Sequence, residues 1–224
     1  GLSICLHYTD LSGNMQAMAT MAPDKSASPD SPRTPARERL LAAARELFYK
    51  EGINNVGIDR IIEHAGVAKA SLYSNFGSKD ELVRAYLKGM HERRTARISE
   101  RLARHRSPRE RLLAVFDYVG ETFAQPGYRG CAFVRTSAEM PGEGAGKDVI
   151  AEARAWMLEL FTSLAREAGA RNAPALAQQL VLLYDGAVTA AQVDGNIDAA
   201  ATARSLAAQL IDAAVAKPAA RSRA

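Results

Sequence analysis

The chain has 224 residues, of which 47% are hydrophobic and 24% are charged, a globular composition that excludes disorder along the whole length. No apolar run approaches the roughly 20 residues that a helix needs to cross a bilayer, so no membrane partner is predicted. Its two cysteines, Cys5 and Cys131, are too few and too far apart for a disulfide framework or a Cys/His zinc site, which favours a reducing, cytoplasmic location.

The net charge of +4 is unevenly distributed along the chain. Residues 33–106 carry 16 Lys or Arg and 9 Asp or Glu, a balance of +7. Residues 107–224 carry 12 Lys or Arg and 13 Asp or Glu, a balance of −1. Residues 1–32 carry 1 Lys or Arg and 3 Asp or Glu, a balance of −2. A basic third joined to a nearly neutral remainder indicates a polyanion-binding module beside a module with another task.

Residues 1–33 show no apolar period and are rich in Ser, Pro and Asp, so we expect a disordered tail or an appended extension there. Met15, Met18 and Met21 are each candidate starts of the native chain. Residues 218–224 are expected to form a second disordered tail.

A helix-turn-helix is predicted within residues 34–80. Thr34 and Pro35 read as an N-cap and a first helical residue, and Gly52 ends that first helix. Short helices follow at about 58–64 and 68–76, separated by a tight turn at Gly66. In a helix-turn-helix the second of two such helices enters the DNA major groove, so double-stranded DNA is the predicted partner.

The predicted helix at 68–76 has two distinct faces. At about 100° per residue, Leu72 and Phe76 fall on one face and must point to the core, with Val67 behind them. Residues on the opposite face are small or polar apart from one tyrosine, which lets the helix approach base edges closely. Lys79 opens the next helix, where its charge and the free backbone N–H groups can hold a phosphate.

Residues 81–217 are predicted to form six helices. Ser78 with Glu81 and Ser107 with Glu110 read as capping boxes that open the first two. A loop is expected at 125–130 and a short helix at 131–140. Three further helices follow, and the last two are expected at 174–194 and 197–216. The predicted fold is therefore all-α, with nine helices in total.

Residues 66–82, with the sequence GVAKASLYSNFGSKDEL, resemble the DNA-binding signature of the TetR family of bacterial transcriptional regulators. Upstream residues that also match the family pattern are Ala44, Leu47, Phe48, Gly52, Ile58, Ile61 and Ala65. The resemblance covers residues 34–82. It implies an all-α homodimer whose three N-terminal helices bind a palindromic operator and whose C-terminal helices form a small-molecule pocket and the dimer interface.

By this resemblance the recognition surface consists of Lys69, Ala70, Ser71, Tyr73, Ser74 and Asn75, with Lys79 on a DNA phosphate. Three positions depart from the family pattern. Ala68 and Gly57 stand where the family usually has a Ser or Thr that contacts phosphate, and Ile62 replaces a small residue. Arg60 in the second helix, or Asn55 just before that helix, is the candidate replacement for the missing phosphate contacts.

The C-terminal helices supply candidates for a pocket and for a dimer interface. Apolar and aromatic residues that would line a pocket are Phe116, Tyr118, Phe123, Phe133, Trp156, Met157, Phe161 and Tyr184, although each also suits an ordinary core. Residues on the Ala-rich last two helices that would face a second chain are Leu180, Leu183, Ala187, Ala191, Leu206 and Leu210, and the same stripe would serve a monomer core.

The predicted function is that of a repressor which a small apolar effector releases from its operator. Two alternatives are a redox-responsive repressor acting through Cys131 and an effector-independent DNA-binding protein. An enzyme is not expected and no cofactor is predicted, because the chain lacks a nucleophile–base motif, metal-ligand spacing and a Gly-rich phosphate loop. Arginines expected to form a mainly solvated helix face are Arg93, Arg94, Arg97, Arg101, Arg104 and Arg106. Glu139 and Glu143 flank a Pro-Gly break, which indicates a loop between them and not an acid/base pair.

Overall fold

A computed structural model describes residues 34–140 and 144–215, and within them the chain forms nine helices and no strand. The helices are α1 (Ala36–Glu51), α2 (Ile58–Ala65), α3 (Lys69–Phe76), α4 (Lys79–Leu102), α5 (Pro108–Phe123), α6 (Ala132–Glu139), α7 (Lys147–Glu167), α8 (Ala173–Val193) and α9 (Ala199–Val215). The all-α prediction is confirmed. The two expected tails at 1–33 and 218–224, and Glu143, lie outside the described residues.

Helix starts follow the capping residues of the sequence. The Ser78 hydroxyl accepts a hydrogen bond from the backbone N–H of Glu81 at 3.1 Å, and Ser107 accepts one from Glu110 at 3.1 Å, so α4 and α5 begin at the predicted capping boxes. The start of α1 differs by one residue. Pro35 occupies the N-cap position, because its carbonyl already accepts the first N–H bonds of the helix.

The N-terminal apolar cluster extends beyond the first three helices. It contains α1, α2, α3 and the first half of α4, with the Phe48 and Tyr86 rings edge to face at 5.6 Å. Phe133 of α6 and Val149 of α7 are buried in the same cluster. Packing therefore continues across the expected domain boundary at residue 80, and α6 packs directly against the cluster formed by the first three helices.

A second apolar cluster holds α5, α8, α9, the end of α4 and most of α7. Phe116 and Phe161 lie at its centre with ring centroids 5.9 Å apart, and both are almost completely buried. In the described part of the chain no helix is long and apolar enough to cross a membrane.

Candidate nucleic-acid interface and adjoining cavity

The turn between α2 and α3 is fixed by one glycine and one distant arginine. Gly66 adopts a left-handed conformation (φ 60°, ψ 44°), which a residue without a side chain reaches at low cost. Arg39 of α1 donates from Nη1 to the carbonyls of Gly66 at 2.9 Å and Ala65 at 3.2 Å. Sequence reasoning missed Arg39, since a bond to a backbone carbonyl 26 residues away leaves no local pattern.

Helix α3 presents the two faces that its sequence predicts. Leu72 and Phe76 are buried against α1 and α4, and the Arg37 guanidinium lies 5.2 Å from the centre of the Phe76 ring. Residues of α3 on the outer surface are Lys69, Ala70, Tyr73, Ser74 and Asn75, while Ser71 is half-buried. Tyr73 is 46% exposed, and its hydroxyl has no hydrogen-bond partner within the described residues.

The two polar residues that end this outer face bond to their own helix. The Asn75 amide donates to the Ser71 carbonyl at 2.7 Å, and the Ser74 hydroxyl donates to the same carbonyl at 3.2 Å. The Asn75 amide oxygen remains available as an acceptor. Tyr73 is therefore the longest side chain on the outer face of α3 whose polar group has no hydrogen-bond partner within the described residues.

The predicted phosphate-binding cations are engaged within the protomer. Lys69 pairs with Asp59 at 2.9 Å and Arg60 with Glu51 at 2.7 Å, and each hydrogen-bonded carboxylate raises the pKa of its cation. Lys79 donates from Nζ to the carbonyl of Ile53 at 2.7 Å. A phosphate contact by Lys69 or Arg60 would therefore exchange one exposed ion pair for another, which has a small net cost.

The helix N-termini near this surface lack side-chain caps. Gly57 and Ala68 are extended and offer no capping oxygen to α2 and α3, as their sequence implies. The Asn55 amide donates to the carbonyl of Glu51 at 2.9 Å. The free N–H groups at the start of α2 and α3 remain open for anions.

Comparison with known proteins places this fold and surface in one family. The profile described as bacterial regulatory proteins, tetR family, matches residues 40–86, from α1 into α4. A crystal structure of a TetR-family transcriptional regulator from Streptomyces coelicolor is 31% identical over 81% of this chain and 96% of its own, with a TM-score of 0.76. The chain belongs to the TetR family. It is a DNA-binding transcriptional regulator and not an enzyme.

Other TetR-family relatives share the fold but include both a repressor and an activator. A regulator from Streptomyces avermitilis is 35% identical over 81% of this chain and 98% of its own, with a TM-score of 0.71. The repressor NemR of Escherichia coli is 32% identical over 106 residues, and the activator FasR of Mycolicibacterium smegmatis is 36% identical over 92 residues. These matches cover 46% and 39% of this chain, and 53% and 42% of the relatives, about half their length.

A cavity of about 1060 Å³ lies between the DNA-binding helices and the rest of the protein. Its walls come from α1, the end of α2, α4, α5, α6, α8 and the segment 125–131. Four of the predicted pocket residues line it: Tyr118, Phe123, Phe133 and Tyr184. A second cavity of about 480 Å³ is lined by Met157 together with Phe133 and Tyr184.

Three predicted pocket residues line neither cavity. Phe116 and Phe161 are core residues packed against each other, so the pocket interpretation is wrong for them. Trp156 packs edge-on to His91 at 5.7 Å between ring centroids. Burial and the nearby Arg94 lower the pKa of His91, which favours the neutral imidazole.

The arginines of α4 also depart from expectation. Arg104 pairs with Glu100 at 2.6 Å on the exposed surface, as a solvated face predicts. Arg93, Arg94 and Arg97 instead line the large cavity, and Arg94 is half-buried with its guanidinium 4.6 Å from the centre of the Phe133 ring. Charge runs read from sequence do not show which arginines turn inward.

The predicted dimer residues divide by burial. Leu180, Ala187 and Ala191 lie in the protomer's own core, so they have no surface to offer a second chain. Leu183 and Leu210 are half-buried, and Leu206 is exposed. Exposed apolar residues on the same two helices that the sequence did not single out are Leu182 and Val193, each more than 70% exposed.

Helix α6 is bonded to the segment between α1 and α2. Glu139 is the last residue of α6, and its Oε2 accepts from the backbone N–H groups of Ile53 at 2.5 Å and Asn54 at 3.2 Å. Arg135 donates from Nη1 to the Tyr49 carbonyl at 2.6 Å. Cys131, the N-cap of α6, is half-buried and lines both cavities. The cavity wall is thus tied directly to the DNA-binding helices.

Proposed function

We propose that this TetR-family regulator is a dimeric repressor that binds a palindromic operator and releases it when a small, largely apolar molecule fills the large cavity. The observation that carries the proposal is the shared wall. Tyr49 and Arg39 of α1 line the cavity, and so does Phe133 of α6. An occupant of this space would therefore touch the DNA-binding helices and the helix bonded to them.

DNA binding would be the work of α3. Its outer face offers Tyr73 and short side chains to base edges, and Lys69 and Arg60 flank it with positive charge. Two half-sites one helical turn apart require two copies of α3, which supports a dimer. The exposed apolar residues Leu182, Val193 and Leu206 on α8 and α9 are suited to bury against a second chain.

Release would follow from a difference in ligand affinity between two conformations. An effector lowers operator affinity only by the factor with which it prefers the conformation that does not fit DNA. Helix α6 carries Phe133 in the cavity wall at one end and Glu139 on the α1–α2 segment at the other. Movement of α6 upon filling would therefore shift the segment that precedes α2.

Titration of DNA from upstream of the regulator's own gene tests the proposal, with a scrambled fragment of equal length as control. We expect saturable binding by one dimer, at least about a thousandfold tighter than to the scrambled fragment at physiological salt. Equal binding to both fragments would contradict an operator at that position. Retained operator binding at saturation with every ligand that occupies the cavity would contradict release and favour an effector-independent protein.

Replacing Glu139 by glutamine tests the route from cavity to DNA. The amide keeps the shape of the side chain but loses the charge-assisted bonds to Ile53 and Asn54, each stronger than a neutral bond. We expect unchanged operator affinity without ligand, and a ligand-induced loss of affinity reduced by about fivefold, the low end of typical couplings. Fluorescence anisotropy with and without ligand measures both quantities. Exposed Glu159 on α7 provides the control, Glu159→Gln, and equal behaviour of the two variants would refute the route.

A further inference from the structure

The large cavity is strongly cationic. Its lining includes Lys50 and six arginines: Arg39, Arg45, Arg93, Arg94, Arg97 and Arg129. Among the described residues, Glu46 is the single carboxylate in the lining, and it is already hydrogen-bonded to His64 at 3.1 Å. Buried apolar pockets that bind neutral molecules need only a few polar groups, so this excess of positive charge is the feature to explain.

Charge and apolar surface come from different helices. Arg93, Arg94 and Arg97 stand at successive and i, i+4 positions of α4, which places them on one side of that helix. Facing walls are apolar: α5 supplies Val119 and Phe123, and α8 supplies Tyr184 and Val188. The cavity therefore has a cationic side on α4 and an apolar side on α5 and α8.

The three α4 arginines in the cavity wall, Arg93, Arg94 and Arg97, have no carboxylate partner within the described residues. Arg94 donates to the Ala153 carbonyl at 2.9 Å and stacks on Phe133, and Arg93 reaches the Met90 sulfur. Burial together with the neighbouring cations Arg45 and Arg97 lowers the pKa of Arg93, so these charges repel one another. An anion placed among them would relieve that repulsion and gain charge-assisted hydrogen bonds.

The size of the space sets the size of the occupant. A volume of about 1060 Å³ is at the upper end of organic-ligand sites, which run to about 1,000 Å³, and far exceeds an inorganic anion. The hydroxyls of Tyr118 and Tyr184 in the lining have no hydrogen-bond partners within the described residues, so both can donate to a ligand.

We propose that the effector is an amphipathic organic anion, with a carboxylate or phosphate head held by Arg93, Arg94 and Arg97 and an apolar body against α5 and α8. This inference rests on the proposed function, because it names the chemistry of the effector that the cavity would take. The arginine guanidinium is suited to both head groups, since its planar fork pairs with two oxygens at once.

A series of ligands with one apolar body tests the head group. Decanoate, decyl phosphate, decanol and decyltrimethylammonium are titrated by calorimetry and by the fluorescence of Trp156, whose ring lies 5.9 Å from the Arg94 guanidinium. We expect both anions to bind at least about tenfold more tightly than decanol, and the cation most weakly. Equal or tighter binding of decanol or of the cation would overturn the proposal. If inorganic phosphate bound as tightly as decyl phosphate, the proposed contact of an apolar body with α5 and α8 would be refuted.

Matched variants locate the head group. Arg93→Gln with Arg97→Gln removes two exposed cavity cations, and Arg94→Gln removes the half-buried one. Each is expected to weaken anion binding by about tenfold or more while leaving decanol unchanged, and Arg94→Lys should recover part of the loss. The control, Arg104→Gln, removes one positive charge outside the cavity and therefore matches Arg94→Gln. If this control weakened anion binding equally, a local site would be refuted. If Arg94→Gln failed to fold, the double variant Arg93→Gln with Arg97→Gln would still test the site.

Operator binding separates the two proposals. Anions that bind without displacing operator DNA would uphold the ligand class and refute ligand-induced release. Displacement by decanol or the cation, with no binding of the anions, would uphold release and refute the ligand class.

Discussion

Replacing Tyr73 by alanine is expected to weaken operator binding by about 1–3 kcal/mol in each half-site, and therefore by about 2–6 kcal/mol for a dimer. The reason is geometric. Leu72 and Phe76 anchor α3 in the core, and Tyr73 leaves the opposite face with a free hydroxyl. Anisotropy titrations of labelled operator and of a scrambled duplex measure the loss, which should be larger on the operator.

Tyr73→Phe separates the hydroxyl from the ring. A loss as large as that of alanine would assign the contact to the hydrogen bond, whereas near-native binding would assign it to the ring against bases or sugars. Glu159→Gln, on the exposed surface of α7, should leave binding unchanged. Native operator affinity in Tyr73→Ala would remove Tyr73 from the DNA interface.

Replacing Phe161 by alanine is expected to lower the free energy of unfolding by about 3–5 kcal/mol, the range for a fully buried aromatic residue. Phe161 is 0% exposed and packs against Phe116, so truncation leaves a void that the rigid helices around it cannot fill. Urea unfolding followed by circular dichroism measures the change. Protomer concentration must be held fixed, because dimerisation adds to stability.

Leu158→Ala on the same helix is the matched control. Leu158 is 39% exposed, so its loss should change stability by less than about 1 kcal/mol. A similar cost for both variants would mean that Phe161 is not a core residue. Because Phe161 lines neither cavity, the remaining folded protein should keep its ligand affinity.

Local patterns in the sequence predict the helices well. The capping boxes at Ser78 and Ser107 mark two helix starts, and the spacing of Leu72 and Phe76 sets the orientation of α3. These features depend on neighbours three or four residues away, so one sequence is enough to interpret them. The family assignment follows from the same short range of residues.

Long-range features were beyond that kind of reasoning. Leu180 and Leu182 are both leucines on α8, yet one is fully buried and the other 71% exposed, because only the packing of α8 on its neighbours decides which face is inside. Glu139 accepts a hydrogen bond from Ile53, which lies 86 positions away in the sequence, and no local motif predicts such a bond. The inward turn of Arg94 has the same origin.

Arg39 has two structural roles. Its guanidinium lines the cavity and also holds the turn before α3, so a substitution there alters the cavity wall and that turn together. Val119 and Val188 line the apolar wall and have no such second role. A lineage of such regulators can therefore diversify its chemical specificity through α5 and α8 while Arg39 and the operator sequence stay constant, which makes the apolar wall the place to engineer a new sensor.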